Sequence, residues 1–134
     1  MPATSAAKQS EPSLTAHEFT VADVEYLNHG GNPLLLRLFT PKAAGPFPLV
    51  IDLHGGAWCA QDRTGDALFN EALARSGIAV AALDFRVPPV ASYPASLADI
   101  NYGIRWLKSQ ASRFHTRPDM VCTFGISSGP LIVP

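Results

Sequence analysis

Apolar and polar residues alternate near the start of the chain in a way that predicts two paired strands. Residues 18–27 alternate with one change of phase near Ala22 and Asp23, which is typical of a half-exposed strand with a bulge. The sequence His-Gly-Gly-Asn at residues 29–32 favours a turn, and a second strand pattern follows at residues 34–39. We therefore expect an antiparallel hairpin.

Further along, the apolar residues become continuous. Residues 49–53 and 78–83 are nearly unbroken apolar runs, which indicate parallel strands covered on both faces, and residues 120–124 form a shorter run of this kind. Helical patterns separate these runs at residues 62–76 and 93–112. Strands that alternate with helices predict an α/β fold, here a doubly wound parallel sheet preceded by the antiparallel hairpin.

Each helical pattern predicts one apolar face. In the first, Gly77 marks the end of the helix, and in the second, Pro94 lies in the first turn. The apolar positions of the first helix are Leu68, Phe69, Ala72 and Leu73, and those of the second are Leu97, Ile100, Ile104, Leu107 and Ala111.

Composition indicates one folded domain. The chain has 134 residues, of which 47% are hydrophobic, and a formal net charge of −1. That length can form one core but hardly two. Residues 1–16, rich in Ala and Ser, are predicted to be a flexible leader, and residues 17–134 to be the domain. The balanced charge, without a basic block, gives no reason to expect a nucleic-acid partner.

The sequence shows no sign of export or membrane insertion. No apolar run reaches the roughly 18 residues of a membrane span, and the leader lacks the apolar segment of a secretory signal. Cys59 and Cys122 make no disulfide framework, and we expect both to have packing roles, with Cys122 as a small buried residue in its strand. We expect a cytoplasmic protein without metal or cofactor; the oligomeric state stays open.

Two glycine motifs follow predicted parallel strands, and ligands of such sheets bind at the carboxyl ends of the strands. One is His-Gly-Gly-Ala-Trp at residues 54–58, and the other is Gly-Ile-Ser-Ser-Gly at residues 125–129. A sharp strand-to-helix turn would expose Ser127 at the edge of the sheet, with Gly125 and Gly129 leaving room for neighbouring backbone. The alternative interpretation of this segment is an ordinary turn, and for His54 we favour a loop anchor over a catalytic role.

These motifs, together with a third block, resemble the α/β-hydrolase superfamily, in particular its hormone-sensitive-lipase-like esterase branch. Residues 54–58 resemble the His-Gly-Gly-Gly oxyanion motif, and residues 125–129 resemble the nucleophile elbow. Residues 84–88, followed by Asp99 and Trp106, resemble the Asp-Tyr-Arg-Leu-Ala-Pro block and its helix. The resemblance implies a lipase-like hydrolase that acts on a small acyl ester through a serine acyl-enzyme, with no cofactor.

By that resemblance, Ser127 is the catalytic nucleophile. The backbone amides of Gly56, Ala57 and Ser128 form the oxyanion hole, and Gly55 lets the loop fold in that way. Two departures from the family pattern are Ala57 in place of the third glycine and Pro130 directly after the elbow, which disfavours helical geometry at the preceding residue.

The triad partners of the serine are missing from the sequence. The fold has the order Ser, Asp or Glu, then His, yet the seven residues after Ser127 include neither an acid nor a histidine. His115 precedes the last predicted strand and lies too far away, and neither His29 nor His17 has a reason to converge on Ser127. We therefore expect an incomplete hydrolase domain, truncated just after the elbow, that folds poorly and hydrolyses esters slowly or not at all.

Two rival functions remain open from the sequence. The first is another acyl hydrolase of the same fold, such as an arylformamidase or a peptidase. The second is a non-catalytic fragment or binding module that keeps only the scaffold. A dinucleotide-binding domain is disfavoured because no Gly-x-Gly-x-x-Gly follows a predicted strand.

Overall fold

The computed structural model of the chain describes residues 16–55 and 62–125. The strands are β1 (Phe19–His29), β2 (Asn32–Pro41), β3 (Phe47–Leu53), β4 (Ala79–Leu83) and β5 (Thr116–Gly125). The helices are α1 (Ala67–Arg75), α2 (Ala95–Ser109) and α3 (Ala111–Phe114).

The described strands form one sheet in the order β1-β2-β4-β3-β5. β3 lies parallel to β4 and to β5, whereas β2 lies antiparallel to β1 and to β4. This confirms the predicted α/β fold, in which an antiparallel hairpin precedes parallel strands joined by helices. Because β1 runs parallel to β4 through this pairing, the hairpin turn lies at the carboxyl edge of the parallel strands.

A different helix covers each face of the central strands. Ile51 of β3 lies on one face in a cluster with Ile100 of α2, and this cluster also includes Phe114 of α3. On the opposite face, Val80 of β4 packs with Ala74 of α1. Coverage on both sides explains why the residues of β3 and β4 are apolar without alternation.

The first hairpin confirms the predicted pairing but not the predicted bulge. The register between β1 and β2 is continuous at Ala22, where the sequence predicts the bulge, and shifts instead between Glu25 and Leu27. The change of phase has a different cause. Phe19 packs on the α1 face of the sheet, whereas Tyr26 packs on the α2 face. The strand therefore changes the face that it buries without gaining a residue at that point.

α1 is shorter than predicted and buries a different face. It spans Ala67–Arg75 rather than residues 62–76, and Asn70 is fully buried. Three of the four predicted apolar positions are instead exposed: Leu68, Phe69 and Ala72. The predicted face is wrong because Asn70 turns toward the sheet, where its side-chain amide donates a hydrogen bond to Asp52 of β3.

Gly77 ends α1, as predicted. Its φ is +97°, a value that a residue with a Cβ rarely adopts. The N–H of Gly77 donates to the Ala74 carbonyl at 3.1 Å, and the N–H of Ile78 donates to the Leu73 carbonyl at 3.2 Å. These two bonds make a Schellman motif, which turns the chain from α1 into β4.

The second helical pattern forms two helices rather than one. A break at Gln110, which caps the end of α2 and the start of α3, interrupts the helix predicted at residues 93–112. Its predicted apolar positions still face the sheet, and Ile100, Leu107 and Ala111 are buried. None of the helices in the described part of the chain is long and apolar enough to cross a bilayer.

β5 forms one edge of the sheet within the described residues. It pairs with β3, and no described strand lies on its other side. Cys122 is exposed and Met120 is 46% exposed. The prediction that Cys122 is buried is therefore wrong: it lies beside Val50 on the face that carries α1, and α1 packs mainly on β2 and β4.

Candidate active site

The two glycine motifs begin next to each other. Leu53, the last residue of β3, pairs with Gly125, the last residue of β5. The chain therefore leaves these parallel strands at adjacent positions of the carboxyl edge, where ligands of open α/β sheets bind. His54 and Gly55 follow β3 directly. The remaining predicted site residues lie outside the described residues, and their roles stay predictions: Gly56, Ala57, Ser127, Ser128 and Gly129.

His54 is fixed at the start of its loop by a hydrogen bond and by stacking. It is buried, and its Nδ1 lies 2.8 Å from the carbonyl oxygen of Gly55, to which it donates. Its ring stacks on Phe85 with centroids 4.3 Å apart and an angle of 8° between the planes. Both contacts fit the loop anchor that the sequence favours, and they leave little freedom for a catalytic movement of this imidazole.

A chain of ion pairs fixes Arg63, which follows the first glycine motif in the chain. Asp84 follows β4 and accepts hydrogen bonds from the backbone N–H of Arg63 at 2.8 Å and from its Nη1 at 3.0 Å. Arg63 also donates through Nε and Nη2 to Asp23 of β1, each at 3.2 Å. Hydrogen bonds from Arg37, and then those from Arg63, hold the pKa of Asp23 well below its usual value. Arg63 thus ties residues near the site to two strands.

A second carboxylate organises the end of β4. Asp99 of α2 is 1% exposed and accepts hydrogen bonds from the backbone N–H, Nε and Nη2 of Arg86, each at 2.9 Å. Burial opposes ionisation of Asp99, but the hydrogen bonds from Arg86 and His29 outweigh it, and the pKa of this carboxyl is lowered. These contacts hold the segment that follows β4 against α2.

Sequence reasoning missed the position of His29. The Nε2 atom of His29 lies 3.0 Å from Oδ1 of Asp99, and His29 lines a cavity together with His54. The sequence did not predict that His29 lies beside His54; whether it converges on Ser127 stays a prediction, because Ser127 lies outside the described residues. The signal was available in the topology: the turn after β1 lies at the same edge as the ends of the parallel strands, since β1 runs parallel to β4.

The cavity beside His54 has a volume of about 360 Å³. Apolar side chains make up part of its wall: Pro33, Leu34, Phe85, Val87 and Val90. Of its charged side chains, Asp84 and Arg86 are paired with Arg63 and Asp99, and Asp62 accepts hydrogen bonds from Thr64. The cavity is therefore suited to a small and largely apolar group, as pockets for uncharged ligands usually are. Across residues 16–55 and 62–125, no group of three His, Cys, Asp or Glu side chains could hold a metal ion.

The BD-FAE family model matches residues 36–132 of this chain, well over half of its length. The chain belongs to the BD-FAE family. The matched region of this BD-FAE member begins in β2 and includes both glycine motifs. It also includes the Asp84–Arg63 and Asp99–Arg86 pairs that surround the cavity.

Relatives and solved structures with related sequences are esterases. The chain is 34% identical over 86 residues to versiconal hemiacetal acetate esterase of Dothistroma septosporum, covering 63% of this chain and 26% of that protein. It is 30% identical over 101 residues to an arylesterase of Saccharolobus solfataricus, covering 75% of this chain and 33% of that protein. The structure of esterase LipW from Mycobacterium marinum matches with a TM-score of 0.77 and 26% identity, over 96% of this chain and 40% of that one.

These similarities confirm the resemblance to hormone-sensitive-lipase-like α/β-hydrolases. The BD-FAE member is thus an α/β-hydrolase of an esterase lineage. It spans between about a quarter and a third of the length of the two curated relatives.

Proposed function

We propose that this BD-FAE member carries the nucleophile of a carboxylic ester hydrolase that works through a serine acyl-enzyme. The observation that best supports the proposal is the pairing of Leu53 with Gly125. Because of this pairing, the segment that begins with His54 and the segment that contains Ser127 start side by side. The esterase relatives support the same class of substrate.

In the proposed reaction, the hydroxyl of Ser127 loses its proton to a base and attacks the carbonyl carbon of the ester. The backbone amides of Gly56, Ala57 and Ser128 donate hydrogen bonds to the oxyanion that forms, and loss of one such donor raises the barrier by about 3–4 kcal/mol. When the intermediate collapses, the bond to the alcohol breaks and the alcohol leaves with the proton. Water then hydrolyses the acyl-serine by the same two steps and releases the acid.

The anchored loop start supplies the preorganisation that this reaction needs. His54 fixes the carbonyl of Gly55, and stacking on Phe85 fixes the His54 ring. A loop with a fixed start can hold amides at the position where negative charge develops, so no reorganisation is needed during the step. In this proposal His54 is a positioning residue, and Gly125 and Gly129 leave space around the serine.

None of the four histidines of the chain is well placed to act as the base. His17 and His115 precede β1 and β5 at the opposite edge of the sheet. Because Thr116 pairs with Phe47 and Gly125 with Leu53, His115 lies about the length of β3, roughly 20 Å, from Gly125. His54 is buried, and His29 is held by a carboxylate that Arg86 already neutralises. We propose that a His–Asp pair outside this chain transfers the proton, and that the 134 residues alone turn over esters slowly or not at all.

The substrate that fits best is a small acyl ester. The cavity beside His54 offers about 360 Å³ with an apolar wall that includes Leu34, Phe85 and Val87. Asp84 and Arg86 are already paired there, and the third charged side chain of the lining, Asp62, disfavours an anionic substrate. The remaining proposals concern the setting of the reaction: one hydrolase domain from residue 17 onward, a cytoplasmic location, and no nucleic-acid partner.

Turnover of a short p-nitrophenyl ester by the purified chain tests the proposal. We expect release of p-nitrophenol close to the uncatalysed rate, with any excess lost in Ser127→Ala and retained in Ser128→Ala, which keeps its backbone amide. Efficient turnover by the wild-type chain that survives in Ser127→Ala would overturn the assignment of the nucleophile. Faster hydrolysis of an aryl formamide or a peptide amide than of the ester would favour the rival acyl hydrolases.

A further inference from the structure

A buried polar cluster that the proposed reaction does not use joins β3 to the start of α1. Asp52 is the second-last residue of β3 and is 1% exposed, and Asn70 of α1 is fully buried. Nδ2 of Asn70 donates a hydrogen bond to Oδ2 of Asp52 at 2.8 Å. The carboxyl group of Asp66 lies near enough to raise the pKa of Asp52, and its Oδ2 atom is buried as well. Two carboxyl groups and one amide therefore meet in the interior.

The cluster has too few donors for its acceptors. Oδ1 of Asp52, Oδ2 of Asp66 and Oδ1 of Asn70 are buried without a hydrogen-bond partner in the described part of the chain. If both carboxyl groups were ionised, all three oxygens could only accept hydrogen bonds, and two negative charges would lie close together in the interior. One proton on the pair supplies the missing donor and removes one charge. Burial, and then the nearby carboxyl group of Asp66, raise the pKa of Asp52 to about 7.

The position of Asp66 supports a specific role in this cluster. Asp66 is the N-cap residue of α1, and aspartate is among the residues that cap helices best. Its side chain nevertheless makes no capping hydrogen bond. The helix therefore starts without the bond that this residue type ordinarily supplies, and Oδ2 of Asp66 is buried instead.

No opposite charge in the described residues compensates for this pair. The residues that pair with Asp52 in the sheet are Ala82 of β4 and Phe124 of β5, and neither titrates. Phe124 is in turn stacked on Phe69 of α1, at a centroid distance of 4.5 Å. On α1, Glu71 and Arg75 pair with each other, and Asp66 is the charged group that acts on Asp52. A proton is thus the compensating charge that the site offers.

We propose that Asp52 and Asp66 share one proton and thereby hold the end of β3 to the start of α1, so that loss of this proton at alkaline pH loosens this junction. Asp52 lies two residues before His54, and Asp66 is the N-cap of the helix that follows residues 53–65. The two aspartates are positioning residues, because they would act through the loop rather than on a substrate. That this loop carries oxyanion donors rests on the proposed function, but the shared proton does not.

Carboxyl ¹³C NMR of the aspartate-labelled chain, from about pH 4 to about pH 9, tests the shared proton directly. We expect a carboxyl resonance of the Asp52–Asp66 pair to shift near neutral pH, and this shift to disappear in Asp52→Asn and in Asp66→Asn. Asp62→Asn is the matched control, because Asp62 lies in the same segment but bonds to Thr64 at the surface, and it should keep the shift. Titration of both groups at ordinary aspartate values would overturn the proposal.

Amide hydrogen exchange tests the consequence for the segment. After correction for the intrinsic pH dependence of exchange, protection of the amides of His54, Gly55 and the first turn of α1 should fall about tenfold between about pH 6 and about pH 9. Asp52→Asn and Asp66→Asn should not show this fall, whereas Asp62→Asn should show it. The same fall in Asp52→Asn and Asp66→Asn would contradict the proposal. Neither measurement involves ester turnover, so a chain that titrates as expected without hydrolysing esters supports this proposal and counts only against the proposed function.

Discussion

Replacement of Asp99 by asparagine is expected to lower the free energy of unfolding by about 3 kcal/mol. The Asp99 carboxylate accepts three hydrogen bonds from Arg86 and one from His29 while it is 1% exposed. Asparagine keeps the shape but removes the charge and leaves Arg86 without an anion. Loss of one member of a buried ion pair costs about 3–5 kcal/mol. The partial exposure of Arg86 and His29 places the expected value at the lower end.

The effect of Asp99→Asn should depend on pH in a defined direction. The pKa of Asp99 is lowered in the folded state, so ionised Asp99 stabilises the fold above the unfolded-state pKa of about 4. This stabilisation is lost as the pH falls through the lowered pKa of the folded state. The difference between the wild-type chain and the variant should therefore be largest near neutral pH and shrink under acidic conditions.

Urea unfolding followed by tryptophan fluorescence measures this difference. Trp106 is a suitable probe because its ring packs against Tyr26 and Phe114, with centroids 6.4 Å and 5.8 Å away. Asp119→Asn is the control, since Asp119 pairs with Arg117 at the surface and such pairs contribute little. A loss below about 1 kcal/mol for Asp99→Asn, or one equal to that of the control, would refute the role given to this carboxylate.

Three further substitutions or conditions test the packing, the turn and the buried carboxyl pair. In Gly103→Ala, the new Cβ would meet Leu83 Cδ2 at 2.7 Å and Tyr26 Cε2 at 3.2 Å, and the cost of overpacking, about 1–3 kcal/mol, should outweigh the gain in helix propensity of about 1 kcal/mol. A thermal melt that shows equal or greater stability of the variant would contradict this. Gly77→Ala places an alanine at φ +97° and should cost about 1–2 kcal/mol in urea; an unchanged midpoint would argue against the turn. The pKa of Asp52 is raised from 3.8 to about 7, so the stability of the fold should decrease by up to about 4 kcal/mol as the pH rises across that window and then level off. Parallel stability–pH curves for the wild-type chain and an Asp52→Asn variant would exclude this contribution of Asp52.

The fold follows from the sequence because the strands that define it are buried on both faces. The runs at residues 49–53 and 78–83 have no alternation, and only a position between two helices accounts for that. Gly77 was predictable for a similarly local reason, since few residues other than glycine end a helix with positive φ. The helix end depends on residues that are close in the sequence, and the doubly buried strands depend on an environment that is the same at every position of the strand.

The errors concern contacts made between distant elements. The apolar face of α1 was not predictable from helical spacing, because Asn70 turns inward to reach Asp52, a partner 18 positions away. The exposure of Cys122 depends on which strands α1 covers. The position of His29 depends on the antiparallel pairing of β2 with both of its neighbours. Periodicity identifies which residues share a face, but not which face has a partner.

At the candidate site, the sequence predicted the motifs better than their surroundings. The adjacency of the two glycine motifs follows from the rule for parallel strands, and the pairing of Leu53 with Gly125 agrees with it. The ion pairs of Asp84 with Arg63 and of Asp99 with Arg86 were not predictable as contacts, since each joins residues brought together by packing. The assignments of Ser127 and of the oxyanion amides remain predictions.

The most direct test of the central claim is to map the residue that a fluorophosphonate probe modifies. The claim is that Ser127 lies at a strained corner beside the amides of the first glycine motif. Because the chain lacks the proposed base, labelling should be slow, but after long incubation mass spectrometry should find the phosphonate on Ser127 in the wild-type chain and in Ser128→Ala, with labelling lost in Ser127→Ala and after denaturation. Phosphonate on another serine of the folded chain instead of Ser127, or labelling that persists unchanged in Ser127→Ala, would contradict the account.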